Sequence, residues 1–369
     1  MNPSSTRRQY LRSSLGLGLA MLTASGLAHA AEKNGSSKSP SSKPVIWREK
    51  MLQGFGTTLW LRAGHADEGV LDLALSEAVQ AIRQVEQRMS LFDENSALSQ
   101  LNRQGFLRNP DPDLLKILTL SQTIAQKSGG AFDVTMQPIW LAWTAWLNGQ
   151  GIEAFDQKWD QKPNQKTAPS SPHSPPFSSS LPKDLRARLA AACQKVGWQG
   201  LSIAPDHIRL RAGMAVSLNG IAQGFASDAA KAALQRRGIQ QALLDVGETT
   251  LLGESANGPW RLGIESVRGH EPAPVWVSDG RAIATSSEAH TAFSADRRFH
   301  HIVNPHTGLS PTHWASVSVI APSCTLADGL TKVFFMAPPE KIKALVDYWG
   351  VDVVLQDKTG RWQSTVKAA

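Results

Sequence analysis

Between Gln241 and Pro322 the sequence writes one strand pattern after another: QALLDVGETTLLG, WRLGIES, VWVSD, AIATSS, a hairpin into FHHIVNP, and WASVSVIAP. No helical stretch separates them. Consecutive parallel strands need a crossover of about a dozen residues or more, usually a helix. The run therefore excludes regular strand–helix alternation and predicts an α+β fold with a mixed, largely antiparallel sheet.

Helices flank this run on both sides. EGVLDLALSEAVQAIRQVEQRM, from Glu68 to Met89, repeats Leu71, Leu75, Val79, Ile82 and Val85 at helical spacing and predicts a long amphipathic helix. DPDLLKILTLSQTIAQKSGG predicts a second, entered at Asp111-Pro112 and stopped by Gly129-Gly130. In AFDVTMQPIWLAWTAW, Trp140, Trp143 and Trp146 recur every third residue, as a buried helix face does. Further helices are expected at KDLRARLAAACQKV, from Gly220 to Arg237, at TLADGLTKVFFM and at PEKIKALVDYW, with a hairpin at LSIAPDHIRLR.

Pro, Ser and Gln crowd the stretch near 149–181, which reads as a poorly ordered surface insertion. The helix and hairpin after it need the earlier elements as cover, so residues 45–369 are expected to form one discontinuous domain. Before that domain, TRRQYLRSS, an apolar run and Ala28-His29-Ala30 make residues 1–30 a secretory signal. The paired Arg7-Arg8 marks the twin-arginine type, which implies a periplasmic destination. The apolar run is too short to span a bilayer, so no stable transmembrane anchor is expected. Residues 31–44 read as a disordered linker.

Loss of Arg7, Arg8 and Arg12 with the signal lowers the formal charge from +7 to +4, and the linker carries a further net +2. The remainder has no basic nucleic-acid footprint. The two cysteines, Cys193 and Cys324, read as buried unpaired thiols.

Four segments break their local rules. GFGTT at 54–58 sets two glycines inside a strand pattern, as a bulge or a close approach to the backbone requires. SLNGIAQGFASD at 217–228 is small and polar before a helix; it suits either a phosphate at the helix start or close helix packing. In HHIVNPHTG at 300–308, His300 and His301 cannot both face one site if the run is extended. LADGLTK at 326–332 places Asp328 on one helix face with Thr331 and Lys332. Asp328 and Thr331 offer the hard oxygens that Mg²⁺ takes; equally, Asp328 can simply pair with Lys332.

The order GFGTT, MSLFDENSALSQLN, AFDVTMQP, SLNGIAQGFASD, LLDVGETTLLG, AIATSS, HHIVNPHTG and VSVIAPSCTLADGLTKVFFM resembles the FAD:protein FMN transferase (ApbE-type) family, over roughly Gln53 to Met336. The resemblance implies cleavage of FAD at its pyrophosphate, attachment of FMN to a Thr or Ser of an exported redox protein, and release of AMP. By motif match it implies Asp328, Thr331 and the Gly220 carbonyl as Mg²⁺ ligands, with Asp328 and His301 catalytic. It also implies Phe55, Phe92, Ala131, Phe132, Asp133, Ser217, Gln223 and Ile302 as the flavin and adenine pockets. Two departures stand out. Ser217 and Gln223 replace the family's usual Asp and Lys, and come with Gly247-Glu248 in place of Gly-Gly. Lys332 stands where the family usually has a metal-binding Thr, which opens the alternative of a flavin carrier or maturation factor without efficient transfer.

Overall fold

The computed structural model describes residues 44–150, 181–269, 276–289 and 291–366. The expected signal, the linker and nearly all of the 149–181 insertion lie outside them.

β1 (Ile46–Gly54) and β2 (Thr57–His65) form a hairpin whose two turn residues, Phe55 and Gly56, have φ of 50° and 80°. Positive φ at both central positions gives the turn whose twist matches the strands it joins. The two glycines of GFGTT thus mark a hairpin turn and not a bulge within one strand. The second long strand pattern is also divided: QALLDVGETTLLG becomes β6 (Gln241–Asp245) and β7 (Thr249–Leu252), turned at Gly247 with φ 86°.

β1, β2, β6 and β7 continue through β10 (Ala282–Ser287), β11 (Trp314–Ala321), β12 (Asp352–Asp357) and β13 (Trp362–Ser364), in that spatial order. Every neighbouring pair is antiparallel. The parallel contribution to the expected mixed sheet shrinks, among the described residues, to the single bridge Met136–Ala215. β12 and β13 were not foreseen. β3 (Phe106–Arg108), β4 (Leu201–Ala204) and β5 (His207–Leu210) make a small separate sheet, and β8 (Arg261–Leu262) pairs with β9 (Trp276–Val277).

One face of the large sheet receives the helices. α1 (Glu68–Met89) begins where Asp67 accepts the Val70 N–H and buries Leu71, Leu75, Ala78, Ile82 and Val85. α2 (Ala97–Gln104) is capped by Ser96, and α3 (Pro112–Lys127) by Asp111. α6 (Ala222–Arg236) and α7 (Cys324–Met336) pack with α1 and α3 on Leu59, Leu61, Ala242, Leu244, Val317 and Val319. The alternate residues Leu243, Leu251, Ile283, Ile320 and Val354 point the other way, against Trp260 and Leu262. Both faces are therefore covered, and β11 is buried along its whole length.

A third cluster joins α4 (Gln137–Gln150) and α5 (Lys183–Cys193) to Phe293, Phe299 and Val303. Trp143 and Trp146 are buried in it, as the expected helix face. The Trp143 indole donates to the Gly308 carbonyl at 2.8 Å. FHHIVNP, expected as a strand, is a loop stitched through the Ala292–His300 bridge. Asn304 and Gly308 close its turn, with a Gly308 N–H to Asn304 O distance of 2.8 Å. α8 (Ile342–Trp349) completes the α-helices among the described residues. Cys193 and Cys324 are both free thiols.

Candidate functional site

The β1–β2 and β6–β7 turns lie at the same end of the sheet, because Trp60 pairs with Asp245 and Gly54 with Thr57. The end of β10 and the start of β11 reach that end too, with Ser287 opposite Ser316. There they border a cleft of about 1840 Å³, lined from Gln53 to Met336. Ordinary small-ligand pockets hold roughly 300–1,000 Å³. This one has room for a dinucleotide-sized ligand and a second reactant.

The floor is the crossing of α6 and α7. A Cβ on Gly224 would stand 2.4 Å from the Cys324 carbonyl oxygen and 2.8 Å from Asp328 Cβ, so only glycine fits. Close packing is therefore what the second glycine of GIAQG serves. Gly224 N–H donates to Asp328 Oδ2 at 3.1 Å. Asp228 of α6 accepts the N–H groups of Cys324 and Thr325, each at 2.9 Å, and so holds the start of α7.

Asp328 is almost fully buried. Its Oδ1 accepts from Lys332 Nζ at 2.5 Å, and the same ammonium donates to the Asp328 carbonyl at 3.1 Å. Thr331, with no exposed surface, turns its hydroxyl to the Asp328 carbonyl at 2.6 Å and to Ser286 Oγ at 2.8 Å. Gly220 backs onto the lysine stem: a Cβ there would lie 3.1 Å from Lys332 Cε. Asp328 is thus taken up by an ammonium whose stem lies against Gly220, and the Thr331 hydroxyl is bonded elsewhere, so the trio does not present an open set of oxygens. A divalent cation does not fit these side chains as they are arranged. Among the described residues no three His, Cys, Asp or Glu side chains group as a metal would need.

Two further carboxyls share the floor. Glu248 is buried, with Oε2 accepting the Thr285 N–H at 2.8 Å. Burial, and then the nearby Asp328, push its carboxyl well above the usual range, while Lys332 pulls it down. Asp245 is also raised by burial, against the Gly247 N–H it accepts at 3.1 Å. Across them lies Gln223: a Cβ on Gly247 would meet its Nε2 at 2.0 Å, so the side chain rests on the bare turn. Sequence reasoning gave Glu248 no role. The available signal was an acid between a glycine and an apolar, threonine-rich strand.

The walls come from the segment after α3 and from the histidine loop. Ala131, Phe132 and Asp133 all line the cleft, but the Asp133 carboxylate is occupied. It accepts the Thr135 N–H at 2.8 Å, the Thr135 hydroxyl at 2.7 Å and the Trp198 N–H at 2.8 Å, while burial raises its pKa. Its work is to tie the wall to the chain beyond α5. Ser217 is fixed by its N–H to Val134 O at 2.7 Å. His301 and Ile302 line the cleft, and His301 is anchored by its N–H to Thr291 O at 2.9 Å.

His300 faces away, fully buried beside Phe335, and burial lowers its pKa to about 2. Of the two histidines one reaches the cleft, as their adjacency predicts. The rim is aromatic. Phe55 rides the hairpin turn, its N–H held by Glu86 Oε1 at 2.8 Å, and Phe92 stands 65% exposed.

The chain is similar to known proteins over this whole assembly. Residues 55–355 match the model of the ApbE family. A FAD:protein FMN transferase of Klebsiella pneumoniae is 28% identical over 357 residues, 92% of each chain. One of Treponema pallidum is 30% identical over 301 residues, 76% of each. The crystal structure of Pseudomonas stutzeri flavinyl transferase ApbE, in its apo form, superposes with a TM-score of 0.69 at 22% identity, covering 87% of this chain and 95% of that one. With the family match spanning both turns, the α6–α7 floor and the histidine loop, the chain belongs to the ApbE family.

Proposed function

We propose that this chain is a FAD:protein FMN transferase. The acceptor's Thr or Ser oxygen attacks the flavin-side phosphorus of FAD; its proton leaves to a base, the new P–O bond forms, and the anhydride bond to AMP breaks. The observation that carries the reading is the cleft itself: segments from Gln53 to Met336, the span of the family resemblance, line one cavity. The relatives that align over most of their length carry the same activity in their names.

In this reading Phe55 and Phe92 offer ring faces to the flavin or adenine, and Ser217 and Gln223 position the phosphates beside the start of α6. His301, oriented by Thr291, takes the acceptor's proton. The acceptor is an exported redox protein, and the Arg7-Arg8 signal supports a periplasmic site of action after folding. Magnesium belongs to the family resemblance, and the ammonium of Lys332 occupies its expected place beside Asp328.

The test is incubation of the mature protein with FAD and a flavin-acceptor domain, followed by AMP assay and mass spectrometry of the acceptor. AMP release with FMN on a Thr or Ser is expected. FAD bound but intact, with the acceptor unmodified, overturns the transferase reading in favour of a flavin carrier.

A further inference from the structure

Phosphoryl transfer from a dinucleotide asks little of the protein beyond alignment and positive charge facing the phosphates. In this cleft the charge at the junction of α6 and α7 is covalently part of the chain. The Lys332 stem runs over Gly220, which has no side chain to block it. Its ammonium ends 2.5 Å from Asp328 Oδ1, one of the groups that the resemblance assigns to a divalent cation, and 3.1 Å from the Asp328 carbonyl. The third expected ligand has been withdrawn, since the Thr331 hydroxyl bonds to Ser286 and to the helix backbone.

An ammonium has three N–H donors. Two are spent on Asp328, and one is left for a phosphate oxygen. Both residues line the cleft, but the lysine side chain is 20% exposed and that of Asp328 only 2%. A cation fixed by a carboxylate before the substrate arrives needs no reorganisation during the reaction.

We propose that Lys332 is the phosphate-facing cation of this protein: its ammonium replaces a divalent metal at the Gly220–Asp328 position and makes pyrophosphate binding independent of divalent cations. The inference rests on the FAD reading above and narrows it. Asp328 becomes the carboxylate that positions Lys332.

The experiment compares wild type, Lys332→Thr and Lys332→Met. Mn²⁺ binding is read by electron paramagnetic resonance without flavin, and FAD binding by calorimetry in EDTA and in Mg²⁺. Wild type is expected to bind no Mn²⁺ at the site and to bind FAD equally in both buffers. Lys332→Met, which keeps the stem and loses the charge, is expected to bind FAD about tenfold more weakly in both. Lys332→Thr is expected to lose about tenfold in EDTA, to recover in Mg²⁺ and to gain Mn²⁺ binding.

Stoichiometric Mn²⁺ on wild type, FAD binding by wild type that needs Mg²⁺, or full FAD affinity in Lys332→Met each overturns the proposal while leaving the flavin reading intact. A wild type that binds no FAD in either buffer overturns both.

Discussion

The floor of the cleft and its rim are built by opposite means. At the floor, α6 and α7 meet backbone to side chain at Gly224, and nearly every polar atom named there has a partner within the chain. At the rim, Phe92 is largely exposed and Phe55 sits on a two-residue turn held to α1 by one carboxylate. The floor is thus stabilised by the same contacts that shape it, so changes there should strike stability and binding together. Rim changes should strike binding alone.

The largest expected effect tests the floor as packing. Gly224→Ala places a methyl 2.4 Å from a backbone oxygen that has no rotamer to give. α6 and α7 must separate, at a cost of about 3 kcal/mol. The urea midpoint should fall accordingly, with FAD binding lost in parallel. An unchanged midpoint would mean that the crossing tolerates a spacing the structure does not show.

Asp328→Ala comes next and separates charge from packing. It removes the partner of the Gly224 N–H and of the Lys332 ammonium, so stability should fall by about 2 kcal/mol. Transfer should be abolished, because the ammonium loses the carboxylate that fixes it. Retained AMP release in a folded variant would remove Asp328 from the site.

Glu248→Gln probes the floor by pH. A carboxyl raised above its unfolded pKa binds its proton more tightly in the folded state, so its contribution to stability is complete below about 4.5, the unfolded value. That contribution declines as pH rises toward the folded pKa. The glutamine cannot ionise and escapes the decline. The variant should therefore gain on wild type as pH rises above about 4.5. Parallel stability–pH curves would show that Glu248 ionises freely despite its burial.

The same contrast explains what was legible in the sequence. α1 and the start of α3 at Asp111-Pro112 followed from periodicity and local capping chemistry, which short windows contain, whereas α2 was not foreseen. The order of motifs located the cleft's walls from Phe55 to Lys332. The two hairpins written as single strands were missed because a Gly within an alternating run marks a bulge or a turn equally well. Only pairing of Gly54 with Thr57, and of Asp245 with Thr249, decides between them. The mutual arrangement of Asp328, Thr331 and Lys332 was legible as one face of a helix. Which partner each side chain takes depends on Gly220, Gly224 and Ser286, from distant parts of the chain. Asp133 fits the cleft by position, yet its bond to the Trp198 N–H depends on a neighbour beyond the insertion.

The smallest effect on stability, and the cleanest test of the rim, is Phe92→Ala. Phe92 is 65% exposed, so truncation leaves no internal cavity and should lower the stability read from urea unfolding by less than about 0.5 kcal/mol. A flavin or adenine stacked on the ring would lose about 1–3 kcal/mol, a drop in FAD affinity of about fivefold or more. Riboflavin and AMP, titrated separately, then show which end of the ligand the ring serves, since only that fragment should weaken. If neither weakens while FAD affinity holds, Phe92 belongs to the acceptor's approach, and the aromatic rim reduces to Phe55. The floor would then carry nearly all of the dinucleotide's recognition, and the division between a charge-reading floor and a ring-reading rim would not survive.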